Sequence, residues 1–203
     1  MTNMISTHNL FPTPVSYFEF GSPLTEVELD FITSQETRGN DGNTTSVNNT
    51  LFESAEIAEI ARFCQESVDE YIKEVYAPKN DVEVYITQSW ANYTQKGQWH
   101  HKHEHPNSFI SGVFYVQAQK DIDRIFFYKN GYQQIKLPTD NYNLYNSESW
   151  WLGVETGQLI LFPSHLTHMV QTVQTDETRI SISFNTFLKG YVGDDVTLTG
   201  LHL

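Results

Sequence analysis

The stretch GQWHHKHEHPNSFISGVFYVQ, residues 97–117, places four histidines within six positions directly before a segment typical of a β-strand. His103 and His105 are two residues apart, so their side chains point to the same face of an extended segment. His168 follows a separate strand-like segment, GQLILFP, 63 residues after His105. Two imidazoles from one strand end and a third from a distant strand occupy one side of a metal and leave the other side open. We therefore predict that His103, His105 and His168 form a catalytic metal site.

The alternative is that HHKHEH is only a polar, solvated strand end. The second cluster, HLTH (165–168), also lies at a strand boundary, and two such clusters favour a metal site over a solvated segment. We expect His100 and His101 to lie beside this site or in solvent.

Short β-type runs follow one another from residue 82 onward, after a more helical N-terminal region. Six or seven such runs separated by turn residues predict a sandwich or barrel, with the preceding helices packed on one side. We predict a single domain over residues 1–203, mainly β, with an N-terminal strand and supporting helices in 1–80 and a β core in 82–190. The predicted strands are 13–20, 82–94, 108–118, 123–129, 149–154, 157–163, 168–174 and 178–190.

The N-terminal region carries two helical patterns separated by a polar segment. In SPLTEVELDFI (22–32), Ser22 is the predicted N-cap and Pro23 the first helical residue. The Gly-, Asn- and Thr-rich segment 33–50 predicts a long loop and a candidate lid. Apolar residues at three- and four-residue steps over 53–76 predict an amphipathic helix.

The composition excludes several classes of function. The formal net charge is −13, with only 12 Lys and Arg residues, so we expect no nucleic-acid partner. No apolar run approaches the roughly 18–20 residues that cross a bilayer, and the first residues lack the pattern of a signal peptide. We expect a soluble, cytoplasmic protein with no membrane partner. The single cysteine, Cys64, rules out an internal disulfide and a cysteine-based zinc site.

Arg179 stands at the start of an alternating strand, eleven residues after His168. Arg179, Ser181 and Ser183 share one face of that strand, opposite an apolar face. A guanidinium that faces a barrel interior is costly to bury unless an anion pairs with it, and a carboxylate does so through two parallel hydrogen bonds. We predict an anionic partner for Arg179; the alternative is that this face is exposed to solvent.

His-x-His-Pro followed by SGVFYVQ, then GQLILFPSHLTH, then ETRISISFN together resemble the Fe(II)/2-oxoglutarate-dependent oxygenases. Within them, the chain is most similar to the small prolyl-hydroxylase-like members of bacteria and phages. The N-terminal LFPTPV is similar to the opening of that branch, and the resemblance is strongest from Trp90 to Asn185. It implies a double-stranded β-helix (a jelly roll, the cupin-like fold) with supporting N-terminal α-helices.

The resemblance also implies the metal ligands. His103 and His168 match the two histidines of the family. Most of the family has His-x-Asp or His-x-Glu, whereas this chain has His103-Glu104-His105. The register before the following strand puts His105 at the carboxylate position, so the resemblance implies a variant triad.

The resemblance implies the cosubstrate residues as well. Arg179 matches the basic residue that pairs with the far carboxylate of 2-oxoglutarate, and Ser181 fits the hydroxyl of an Arg-x-Ser pattern. Tyr115 and Tyr93 fall where prolyl-hydroxylase-like enzymes have tyrosines against the cosubstrate.

The implied activity is that of a dioxygenase that uses Fe(II), 2-oxoglutarate and O2. Its expected reaction hydroxylates a peptidyl (prolyl-like) or small-molecule substrate and releases succinate and CO2. The aromatic candidates for the substrate's surroundings are Trp90, Trp99 and Trp150. A phage-encoded chain would work in the host cytoplasm, and a homodimer is left open.

The sequence leaves two other functions open. Six residues match much of two cupin motifs, which would give a three-histidine metalloprotein that does not use 2-oxoglutarate. The glutamate that a cupin has after its second histidine is missing, because positions 109–111 read Phe-Ile-Ser. The third function is a non-catalytic jelly-roll binding protein. The cupin-like residues are Gly97, His103, His105, Gly157, Pro163 and His168.

Overall fold

Two antiparallel sheets and two main helices make up the fold of the computed structural model, which describes residue 4, residues 6–131, residue 135 and residues 137–203. The helices are α1 (Glu26–Thr33) and α2 (Ala58–Tyr71). The strands are β1 (Ser16–Glu19), β2 (Thr37–Gly39), β3 (Thr44–Ser46), β4 (Val82–Thr94), β5 (His100–His103), β6 (Ile110–Gln117), β7 (Arg124–Tyr128), β8 (Ser149–Gly153), β9 (Gln158–Pro163), β10 (His168–Val170), β11 (Arg179–Val192) and β12 (Leu201–His202).

The large sheet has the strand order β1-β9-β6-β11-β4-β3-β2, with β12 added to β11. The small sheet has the order β5-β10-β7-β8. The mainly β jelly-roll prediction is confirmed, and each strand predicted from residue 82 onward is present. β5 was not predicted as a strand, because its sequence HHKH carries no apolar alternation.

Both faces of the large sheet are buried at β6, which explains the nearly continuous apolar sequence of this strand. Phe114 and Val116 pack into the core beneath the helices, together with side chains of α2. Val113 and Tyr115 point the other way and join the core between the two sheets. Alternate side chains of one strand therefore serve two different cores.

The space between the sheets has an apolar half and a polar half. At β6 and β9 it is filled by apolar side chains such as Ile160 and Phe162, which meet Phe127 of the small sheet. At β11 and β4 the same face carries buried polar residues instead, including Ser181, which is paired across the strands with Asn92. This polar half lies where a ligand could be bound between the sheets.

The first helix begins later than predicted. Thr25 is its N-cap, and Ser22 and Pro23 precede the helix. The Thr25 hydroxyl accepts a hydrogen bond from the Glu28 backbone N–H (3.3 Å), and the Glu28 carboxylate accepts one from the Thr25 backbone N–H (2.7 Å). This reciprocal capping box determines the start of α1, because it satisfies two otherwise free N–H groups.

The predicted long loop over 33–50 is wrong, because this segment contains the β2–β3 hairpin that extends the large sheet. Its polar side chains are used for pairing rather than for solvation. Thr45 donates to the Ala91 carbonyl (2.9 Å), and the Ser46 hydroxyl accepts from the Ala91 N–H (3.0 Å). Serine and threonine residues are common in loops, but here their hydroxyls form hydrogen bonds with the backbone of β4.

The second predicted helix is confirmed in its centre and refined at its ends. Short 3-10 turns at Leu51–Glu53 and Ala55–Ile57 precede α2, and a π-helical turn at Ile72–Tyr76 follows it. No helix among the described residues has the length and hydropathy needed to cross a membrane.

Gly112 on β6 packs closely against β11. It lies opposite Phe184 of β11, and a Cβ added at Gly112 would lie 2.1 Å from Phe184 Cζ. Phe184 is fully buried, so it cannot move into solvent. We expect Gly112→Ala to lower the free energy of unfolding by about 1–3 kcal/mol, the usual cost of overpacking.

Urea denaturation measures this change, and Gly153→Ala is the matched control, since a Cβ on that strand glycine meets no atom within 4 Å. Equal denaturation midpoints for the two variants would contradict the packing argument.

Candidate active site

Three histidines converge at one end of the space between the sheets. His103 at the end of β5 lies opposite His168 at the start of β10, and His105 follows two residues later. One ring nitrogen of each lies within 4.8 Å of the others, and His168 is only 5% exposed. The Nε2 atoms of His103 and His105 are 3.0 Å apart. The structure thus brings together the three residues predicted as metal ligands, hereafter the histidine triad.

Backbone carbonyls determine which ring nitrogen carries the proton in two of the three. His103 Nδ1 lies 2.7 Å from the His101 carbonyl oxygen, and His168 Nδ1 lies 2.9 Å from the Leu166 carbonyl oxygen. A carbonyl only accepts, so each Nδ1 is the donor and each Nε2 keeps a lone pair. A histidine held in this way by its other nitrogen is oriented as a metal ligand.

Burial keeps all three imidazoles neutral. Desolvation lowers the pKa of His105 to about 4, and the positive charges of neighbouring imidazoles add to this effect. The same causes place the pKa of His168 well below its usual value, and burial lowers the pKa of His103. Metal ions bind the neutral form of imidazole, so the triad is in its ligating state at neutral pH.

Glu104 points away from the triad. It is exposed, and its carboxylate accepts a hydrogen bond from the Thr167 hydroxyl. Of the two residues that follow His103, only His105 therefore faces the other imidazoles.

His100 lies beside the triad, which is one of the two places that the sequence predicted for it. The pairing of β5 with β10 shifts register between His168 and Val170, so that His100 lies opposite Val170. The His100 ring stacks on that of His103, with centroids 4.7 Å apart. Burial lowers the pKa of His100 to about 3, followed in effect by the charges of nearby imidazoles and of Arg179. Strand alternation could not predict which residue of β10 lies opposite His100, because the bulge shifts the pairing of the two strands.

Arg179 is buried between the sheets with little to neutralise it. It is 5% exposed, and its Nη1 donates to the Arg124 carbonyl at 3.3 Å. Its Nε has no hydrogen-bond partner, and the described residues place no carboxylate in an ion pair with it. A buried guanidinium with free donors is a recognition site for an anion.

Tyr115 and Ser181 accompany Arg179 on the same face. The Tyr115 ring centroid is 5.3 Å from Arg179 Cζ, and its buried hydroxyl has no hydrogen-bond partner. Burial raises the pKa of Tyr115 to about 12, so the hydroxyl remains a proton donor. Ser181 is buried and pairs with Tyr115 across the β11–β6 ladder.

Tyr93 does not join this group. Its hydroxyl donates to the Ile32 carbonyl, and its ring lies in the core beneath the helices. Its neighbour Asn92 is paired with Ser181, and the buried Asn92 Oδ1 has no partner. The position of Tyr93 in the sequence indicated the correct strand but the wrong face of it, because adjacent residues of a strand point in opposite directions.

The aromatic candidates differ in their distance from the triad. The Trp90 ring centroid is 6.0 Å from that of His105. Trp99 packs against the turn at Gly42, and Trp150 lies opposite Phe127 on the neighbouring strand. A groove of about 620 Å³ is lined by residues such as Tyr142, Tyr145 and Trp150, and it includes none of the triad. Trp90 is therefore the tryptophan that borders the site.

The family model described as "Putative 2OG-Fe(II) oxygenase" matches residues 88–185, the segment that holds the triad and Arg179. The matched segment resembles the 2OG-Fe(II) oxygenases and makes up just under half of the chain. The family resemblance of the sequence is thereby confirmed, and with it the class of enzyme. Comparison with curated proteins finds no matching sequence.

Solved structures of 2OG-Fe(II)-type enzymes share the fold of this chain. HygX from Streptomyces hygroscopicus, with nickel and 2-oxoglutarate bound, aligns with a TM-score of 0.57 at 12% identity, over 86% of this chain and 82% of that chain. A Pseudomonas putida prolyl-4-hydroxylase aligns with a TM-score of 0.54 at 12% identity, over 85% and 92% of the two chains. The epimerase SnoN from nogalamycin biosynthesis aligns at 0.58 and 11% identity, over 86% and 76%.

The buried imidazoles make the stability of the metal-free protein depend on pH. In the unfolded chain these histidines titrate near pH 6.5, whereas folded His105 titrates near 4. Between these values the unfolded state binds more protons, so we expect the free energy of unfolding to decrease as the pH falls. Urea denaturation at a series of pH values from 7 to 5 measures this slope.

The matched variant is His105→Asn, which removes one of these groups and should show a smaller decrease over the same range. A slope of opposite sign, or an unchanged slope in the variant, would show that these histidines are not held neutral.

Proposed function

We propose that this chain is an Fe(II)- and 2-oxoglutarate-dependent oxygenase whose metal is held by His103, His105 and His168. The observation that carries the proposal is the convergence of three neutral imidazoles, of which His168 is buried and the other two are half-buried, on the same inter-sheet space as an unpaired, buried guanidinium. Its location within the segment that matches the 2OG-Fe(II) oxygenase family model supports the same function.

The donor set fits a first-row divalent metal. Imidazole nitrogen suits iron, nickel, copper and zinc, and a triad on one side of the ion leaves positions for further ligands. The Nδ1 hydrogen bonds of His103 and His168 to carbonyls orient their rings, so the metal would meet preformed lone pairs.

The second part of the site fits a dicarboxylate. Arg179 would pair with the distal carboxylate of 2-oxoglutarate, which would satisfy the guanidinium donor that is free in the protein. The protonated Tyr115 hydroxyl would donate to the same molecule, and Ser181 offers a third polar group on that face. Asn92 joins this set in place of Tyr93, which faces the helical core.

Fe(II) with 2-oxoglutarate, when bound, supplies the oxidative decarboxylation to succinate and CO2 that couples O2 to oxidation of a second substrate. The chain's own residues supply binding and geometry. Arg179 orients the dicarboxylate, the triad stays unprotonated, and the apolar half between the sheets limits the access of water.

We propose hydroxylation of a peptidyl or small-molecule substrate that approaches past Trp90. Proteins of this fold include a prolyl-4-hydroxylase, an epimerase, and HygX solved with hygromycin B, which supports both substrate classes. The formal charge of −13 favours a neutral or cationic substrate over an anionic one.

Variants of the triad test the metal ligands. We expect His105→Ala and His168→Ala to weaken Fe(II) binding by more than about 100-fold, because a direct ligand matters more than the outer groups that orient it. Glu104→Gln is the matched control and should bind as the wild type does, since its side chain faces Thr167. Anaerobic Fe(II) titration measures these affinities, and a greater loss in Glu104→Gln would refute the assignment of His105.

A variant of Arg179 tests the cosubstrate. We expect Arg179→Gln to weaken 2-oxoglutarate binding by at least about 30-fold, which corresponds to the 2 kcal/mol or more lost when one partner of a buried charge pair is removed. Fe(II) affinity should be unchanged. Calorimetric titration of 2-oxoglutarate onto the anaerobic Fe(II) protein measures this effect, followed by an assay for succinate.

The control is Arg124→Gln, whose guanidinium stacks over Trp151 instead. If wild-type protein binds Fe(II) but not 2-oxoglutarate, the cupin-type function replaces the one proposed.

A further inference from the structure

A row of three serine hydroxyls leads away from His105. Ser111 Oγ lies 2.7 Å from His105 Nδ1 and 2.8 Å from Ser164 Oγ, which in turn lies 2.7 Å from Ser108 Oγ. Ser111 and Ser164 are almost completely buried, at 0% and 1% exposure. These three residues, hereafter the serine relay, join the segment after β5 to the strands β6 and β9.

The proton order along the relay follows from its far end. Ser108 donates to the Ile110 carbonyl (3.1 Å), which can only accept. A serine has one proton to donate, so Ser108 must accept the proton of Ser164. Ser164 must then accept the hydrogen bond that Ser111 donates. The Ser111 oxygen can therefore only accept a hydrogen bond from His105.

This order requires that His105 donates from Nδ1 and keeps a lone pair on Nε2. The Nε2 of His103 also keeps a lone pair, because its Nδ1 donates to the His101 carbonyl. Two lone pairs would then face each other across 3.0 Å at a half-buried position. That arrangement is repulsive without a cation between the imidazoles and favourable with one.

We propose that the serine relay is a positioning device that holds His105 as its Nδ1–H tautomer and so makes it a metal ligand. This inference rests on the proposed function only for the identity of the metal. A carboxylate ligand needs no such device, because both of its oxygens carry lone pairs. An imidazole in the same position must present the unprotonated nitrogen, and the relay ensures that it does.

Asn185 is a second group close to this ring. It lies opposite Ser111 on the neighbouring strand, and its buried Oδ1 has no hydrogen-bond partner. Asn185 does not touch the relay's far end, so a change at Ser164 leaves it in place.

Ser164→Ala tests the relay without removing a side chain that contacts His105. It frees the Ser111 proton, which can then be donated to His105 Nδ1 and shift the histidine proton to Nε2. The backbone bond from His105 N–H to the Ser164 carbonyl (3.0 Å) is unaffected by the substitution. We expect affinity for Zn²⁺, the probe, to fall about 10- to 100-fold, the usual effect of losing a group that orients a ligand.

The second readout is the tautomer itself. We expect ¹⁵N spectra of the metal-free wild type to show His105 protonated at Nδ1, and those of Ser164→Ala to show protonation at Nε2. The His105 signals are assigned by their loss in His105→Asn. Ser108→Ala should show the same loss of Zn²⁺ affinity and the same change of tautomer. Ser164→Thr keeps a hydroxyl and should therefore retain the wild-type affinity and tautomer.

Ser67→Ala is the matched control, because it removes a buried serine hydroxyl bonded to the Phe63 carbonyl on α2, away from the triad. If Ser164→Ala keeps wild-type Zn²⁺ affinity and the wild-type tautomer, the relay proposal is wrong. If the wild type binds no metal, the proposed function fails, and the ¹⁵N spectra still decide whether the relay controls His105.

Discussion

Three neutral imidazoles that share one buried point are the constraint on which the rest of this site depends. A metal ion held by all three would require each to present its Nε2, and each would then need an acceptor for the proton on Nδ1. Backbone carbonyls supply that acceptor for His103 and His168. His105 Nδ1 lies against the Ser111 hydroxyl instead, and whether that hydroxyl donates or accepts depends on its hydrogen bond with Ser164.

The large sheet offsets the free-energy cost of burying these polar groups, because apolar side chains pack on both of its faces. The helical core on one face and the apolar half on the other supply the hydrophobic stabilisation. The same strands carry polar side chains where β11 and β4 meet, so Arg179 can remain buried with free donors beside Tyr115. A rigid apolar framework thus supports a polar site whose groups are satisfied only by ligands.

Strand alternation and residue chemistry are local properties, so the sequence could predict that the three histidines lie together and that Arg179 faces the interior. His103 and His105 two residues apart, and Arg179 at the start of an alternating strand, are visible without a structure. The same reasoning failed at Tyr93, where a shift of one residue changes the face, and at the β2–β3 hairpin, whose polar residues read as a loop. Those positions depend on register and on partners from distant strands, which no local pattern specifies.

The sequence by itself determined the class of fold and showed that the candidate histidines and Arg179 lie at strand boundaries. Only the tertiary structure decided which side chains meet. The β5–β10 bulge brings His100 against His103, and the packing of β6 on β9 places Ser111 within reach of Ser164. The physical reason is that a hydrogen bond or a coordination bond needs atoms within about 3 Å, and residues far apart in the chain reach that distance only when the sheets have paired in one register.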